Sequence, residues 1–130
     1  MDIDNNDYFL AIGTKKGHIY IIDLESKTRK KDIVTNENID THVTALKFSP
    51  NNDFLASGYS TGNLTIHITQ DWELLKTVQA YKTDIFDNSA IFFIDWTVDL
   101  KNIQTETKSR EYKLWSFDST FISEIDSNEV

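Results

Sequence analysis

The chain has no cysteine, one proline and only four glycines in 130 residues. Without cysteine there is no disulfide framework, no thiolate metal site and no thiol nucleophile, and the composition suits a reducing compartment. With so little proline and glycine, no flexible or low-complexity linker divides the chain, and its length corresponds to about one domain. Positive charge is also in deficit. Lys plus Arg number 13 against 21 for Asp plus Glu, a formal net charge of −8. That balance excludes the broadly basic surface of a sequence-independent nucleic-acid binder. No stretch approaches the ~18 apolar residues of a membrane-spanning helix, and the acidic start (Met1, Asp2, Asp4, Asp7) is unlike a signal peptide. Neither nucleic acid nor membrane is expected as a partner. What the chain does have is apolar substance: 39% hydrophobic and 12% aromatic residues, enough to build a core.

Self-similarity organises it. Phe9-Leu10-Ala11-Ile12-Gly13-Thr14-Lys15-Lys16-Gly17 lies over Phe54-Leu55-Ala56-Ser57-Gly58-Tyr59-Ser60-Thr61-Gly62 at a displacement of 45 residues, with Phe, Leu, Ala and both glycines coinciding. A fainter third copy follows at a displacement of 48, which sets Ile91, Ile94, Trp96 and Thr97 over Val43, Leu46, Phe48 and Ser49, and Leu114 over Ile66. The copies occupy approximately residues 1–35, 42–78 and 90–126.

Each copy reads as four short strands. In the middle copy they are Val43–Phe48, Phe54–Gly58, Asn63–Ile68 and Leu74–Val78, separated by turn formers such as Ser49-Pro50-Asn51-Asn52-Asp53. Runs such as Ile19-Tyr20-Ile21-Ile22 and Ile91-Phe92-Phe93-Ile94 are apolar on both faces, which predicts packing partners on both sides of the sheet. Four-stranded units at this period, stacked face to face, describe the blades of a β-propeller. The expected class is therefore all-β, with just under three four-stranded antiparallel blades. Because the first copy begins in the middle of its innermost strand and three blades cannot close a ring, the expectation is a propeller fragment of a longer chain, its outer faces covered by the remaining blades. In isolation such a fragment would self-associate.

The pattern apolar-Lys47-Phe48-Ser49-Pro50-Asn51-Asn52, then Phe54-Leu55-Ala56-x-Gly58, then Gly62 and alternating apolar residues, resembles a WD40 repeat. The Trp-Asp dipeptide that closes such repeats is degraded to Ile22-Asp23, His67-Ile68 and Trp115-Ser116, and the turn Asp is replaced by Lys16, Thr61 and Ser109. The buried Asp–His–Ser/Thr–Trp network of well-conserved repeats is thus not expected. More narrowly, Ile94-Asp95-Trp96-Thr97 followed by Glu111-Tyr112-Lys113-Leu114-Trp115 is similar to the echinoderm microtubule-associated protein-like (EMAP-like) family. That resemblance implies a cytoplasmic, cytoskeleton-associated protein with tubulin or microtubules as partner.

Apparent catalytic motifs fail on context. Gly58-Tyr59-Ser60-Thr61-Gly62 matches G-x-S-x-G, but a nucleophile elbow needs a strand–turn–helix, and here a strand-like alternation follows. His18, His42 and His67 are scattered without ligand spacing, and no glycine pattern forms a phosphate loop. Asp95 beside Trp96 has Lys47 as its counterpart and reads as a blade-edge position. No enzyme, cofactor or metal is expected. The candidates for partner contact are the basic run Lys27, Arg29, Lys30 and Lys31, set against the acidic background, and Trp72, which the turn Gln70-Asp71 places in a more exposed position. Each has a structural reading as well: a charged edge strand for the run, core packing for the indole. The expected function is a non-catalytic protein-interaction scaffold that binds tubulin. The alternative is a WD40 scaffold subunit of a ciliary transport or signalling assembly.

Overall fold

The computed structural model describes residues 1–34, 41–82, 89–118 and 121–125, and their regular structure is entirely strand. Sheet 1 contains β1 (Asp2–Ile3), β2 (Phe9–Gly13), β3 (His18–Asp23) and β4 (Thr28–Val34). Sheet 2 contains β5 (Val43–Phe48), β6 (Phe54–Tyr59), β7 (Asn63–Ile68) and β8 (Glu73–Gln79). Sheet 3 contains β9 (Ile91–Trp96), β10 (Asn102–Thr107), β11 (Tyr112–Asp118) and β12 (Phe121–Glu124). Each sheet is an antiparallel meander in chain order. The strands expected in the middle repeat emerge with shifts of at most one residue. The outer limits 35 and 126 of the expected repeats lie outside the described residues. No helix is long and apolar enough to cross a membrane among the described residues.

The repeat is written in the backbone as well as in the side chains. Left-handed φ values recur at equivalent places: Asp7, Asn52 and Leu100 in the first turns, Gly17, Gly62 and Arg110 in the second, Lys27 and Trp72 in the third. In each second turn that residue's N–H donates to a carbonyl three residues back, from Gly17 to Thr14 at 3.2 Å, Gly62 to Tyr59 at 3.0 Å and Arg110 to Thr107 at 2.9 Å. The first turns are closed by different side chains in one role. Asp4 Oδ1 accepts from Tyr8 N–H at 2.7 Å, Ser49 Oγ from Phe54 N–H at 3.0 Å and Thr97 Oγ1 from Asn102 N–H at 3.0 Å.

Two apolar seams hold the sheets together. Between sheets 1 and 2, Ala11, Ile19, Ile21 and Ile33 meet Phe48, Leu55 and Trp72. Between sheets 2 and 3, Ala56, Leu64 and Ile66 meet Ile91, Ile94, Trp96, Trp115 and Phe117. Glycine is needed where they touch most closely: a Cβ on Gly58 would lie 2.7 Å from Ile91 Cγ2, and one on Gly13 would collide with Val43 in the same way. Polar bonds cross as well, Trp96 Nε1–H donating to Lys47 C=O at 3.1 Å and Phe48 N–H to Asp2 Oδ2 at 2.8 Å.

Two expectations are corrected. The run Ile91–Ile94 is not packed on both sides, since Ile91 and Ile94 are buried while Phe92 and Phe93 are 55% and 43% exposed. They lie where no described element covers sheet 3. The buried hydrogen-bond network is also not wholly lost. In sheet 3 Trp115 Nε1–H donates to Thr105 Oγ1 at 3.0 Å, and Thr105 Oγ1 lies 3.0 Å from the hydroxyl of Tyr81, which in turn donates to Glu111 C=O at 3.0 Å. Tyr81 thus fills the place expected of a histidine, which no spacing rule for His could reveal. Burial pushes its phenol pKa up to about 12. The equivalent pair in sheet 2 is Ser57 and His67, and in sheet 1 it is the wholly apolar Ile12 and Ile22.

Candidate interaction surface

The basic run lies on β4 and the turn before it, with Lys27, Arg29, Lys30 and Lys31 all exposed. The pairing of Ile21 with Lys31 and of Ile22 with Arg29 leaves Lys30 as the extra residue of a bulge. Lys31 therefore shares the side of Ile21, which is buried toward sheet 2, whereas Arg29 shares the opposite side with Ile22. There its guanidinium stands 4.3 Å from the Tyr20 ring centroid and 3.4 Å from the Asp32 carboxylate. The run is one feature in sequence and two in space.

Trp72 corrects its expectation. It is 7% exposed, edge-on to Phe9 at 5.5 Å between ring centroids and to Phe48 at 6.4 Å. Burying an indole removes on the order of 200 Å² from water, which favours the seam over the turn's outer surface.

The seam does bring Trp72 and Lys30 together in another way. Both line an open cleft of about 720 Å³ whose other walls include Phe9, Asp53, Phe54 and Leu75. Phe9 comes from sheet 1 and Phe54 from the equivalent position in sheet 2, so no single repeat contains the cleft. The Asp53 carboxylate is exposed, with Oδ2 accepting from Asn51 Nδ2–H at 2.9 Å.

The cleft opens on a rim with a definite charge. In a four-strand meander the first and third turns lie at one end and the second at the other. The ends of sheets 1 and 2 are aligned, because Asn5 donates from its backbone N–H to Asn52 Oδ1 at 2.8 Å and from Nδ2 to Ser49 C=O at 2.9 Å. The first and third turns of these sheets carry Asp7, Asp23, Glu25, Asp53 and Asp71 with Lys27 as their only described cation.

The remaining polar residues have structural settings. His67 is 3% exposed between sheets 1 and 2, with burial pushing its pKa down to about 4. Among the described residues its Nδ1, Ser57 Oγ and Thr65 Oγ1 are buried without hydrogen-bond partners. His18 packs edge-on to Tyr20, and no group of three His, Asp or Glu among the described residues is placed to hold a metal ion. Ser60 caps a hairpin, accepting from His42 N–H at 2.9 Å, and a strand rather than a helix follows it. Asp95 is exposed on β9.

Residues 5–124 match the family model of the Vps8 β-propeller. The chain belongs to the Vps8 β-propeller family. Solved structures with the same arrangement include the WD40 repeats of RRP9 (17% identity, TM-score 0.80), a chain of the mitotic checkpoint complex (19%, 0.78) and the Cps50 (Swd1) β-propeller domain of Myceliophteria thermophila (15%, 0.76). They cover 96%, 95% and 95% of this chain, which spans only 36%, 36% and 35% of theirs. At such identities the likeness carries the fold. No curated protein sequence matches the chain. The WD40 resemblance read from the repeats therefore stands, while the narrower EMAP-like resemblance finds no counterpart among these matches.

Proposed function

We propose that the chain is part of a non-catalytic protein-interaction propeller of the Vps8 type, its three sheets forming a rigid section of a larger ring. The observation that carries this reading is the seam chemistry: the Tyr81–Thr105–Trp115 network and the glycine contacts at Gly13 and Gly58 commit the interior to holding sheets together. Recognition is left to the rims and the outer strands. The matched chains, about three times as long, support the larger ring. One of those chains comes from a multiprotein complex, which supports an assembly role.

The cytoskeletal form of this reading, with tubulin as partner, has no support from the comparisons, and the basic run offered as a partner contact is divided between two sides of β4. A cytoplasmic location is part of the proposal. To test the scaffold reading, residues 1–125 are removed from the full-length protein, and the size of its native assembly is followed by gel filtration with light scattering. Loss of at least one stoichiometric protein partner is expected; an unchanged assembly overturns the reading.

A further inference from the structure

We infer that the cleft between sheets 1 and 2 receives an extended basic peptide, one of whose Lys or Arg side chains lies in it. The inference rests on the scaffold reading and gives it a surface and a partner chemistry. Three observations support it. The volume of about 720 Å³ falls within the range of ligand-sized clefts. Its walls pair apolar rings, Phe9 and Phe54, with the exposed carboxylate of Asp53. A long cationic side chain has that same division, an aliphatic stem that packs on rings and a charged head that seeks a carboxylate. Finally, the turns at the end of the sheets where the cleft opens carry Asp23, Glu25, Asp53 and Asp71 against Lys27 alone among the described residues, so charge complementarity selects a cationic partner over an anionic one.

Lys30 on the sheet 1 wall is the cation lining the cleft, next to Lys31 on the side of β4 that faces sheet 2, and it makes the inference sharp. A basic peptide is opposed by Lys30 and helped by Asp53, whereas an acidic peptide would reverse both signs. The probes are short fluorescein-labelled peptides in which Lys alternates with Leu, Glu with Leu, or Lys with Ser, titrated with the full-length protein by fluorescence anisotropy. The Lys–Leu peptide is expected to bind most tightly. Lys30→Glu should tighten that binding and Asp53→Lys weaken it, each by roughly threefold to fivefold, as for exposed charge pairs. Gln70→Trp, which places an indole in the opening, should abolish it.

Lys30 is exposed on a bulge, so Lys30→Glu keeps the test valid if Asp53→Lys disturbs its turn. Tighter binding of the Glu–Leu peptide, or affinities unmoved by Lys30→Glu and Gln70→Trp, overturns the cleft assignment. In those cases an assembly that still depends on residues 1–125 leaves the scaffold reading standing; failure of both experiments removes the two together.

Discussion

Arg110 stands where the first two sheets have glycine. At φ 65, against 80 and 87 for Gly17 and Gly62, an L-residue pays the left-handed penalty of about 1 kcal/mol that glycine avoids. Its N–H bond to Thr107 shows that the turn is the same despite the change. Arg110→Gly should therefore raise stability by roughly 0.5–1 kcal/mol, the relief of strain exceeding the added freedom of the unfolded chain. Chemical denaturation at neutral pH reads the difference, and a midpoint at or below that of the parent refutes it. The turn at Trp72 also repeats a left-handed backbone, with a different burial. The counterpart of Trp72 is the exposed Lys27, and both sit at left-handed φ values of 61 and 57, so backbone equivalence was legible in the sequence. Burial was not. It depends on Phe9 and Phe48 arriving from elsewhere in the chain.

Strands and their order were the most legible level, because glycine positions and short apolar runs repeat at a displacement of 45. The seams were less so. The Thr105–Trp115 bond runs against the expectation that the buried network is lost, and Tyr81 reaches it from the segment after β8, between two repeats, where no alignment of copies points. The seam between sheets 1 and 2 has His67 in the place of Trp115, with no hydrogen bond at its Nδ1 among the described residues. That substitution has a pH consequence. The unfolded histidine takes up a proton near pH 6.5, whereas burial holds the folded one neutral down to about 4. Between those values the unfolded state binds more protons, so stability falls as pH falls, by on the order of 3 kcal/mol across the whole window. Melting temperatures compared at pH 7 and pH 5 should drop less in His67→Leu than in the parent. Equal drops would remove His67 as the cause.

Taken as a whole, the described residues form a stack with two outer faces that no described element covers. Sheet 1 presents Ile3 and Val34, 47% and 50% exposed, and sheet 3 presents Phe92, Phe93 and Tyr112, the last 60% exposed. Apolar area of this kind drives association. The 130-residue chain on its own should therefore form oligomers whose fraction grows with concentration, and a monodisperse monomer in light scattering would contradict this. The cleft between sheets 1 and 2 belongs to this scale too, since its walls come from separate repeats and no one of them announces it. The acidic end of the stack has a longer reach than any of these contacts. Cationic macromolecules are turned toward that end and anionic ones deflected while still about 8 Å away at physiological salt. Meetings with this protein thus start as alignment in a field, and added electrolyte should slow them before it weakens any bond.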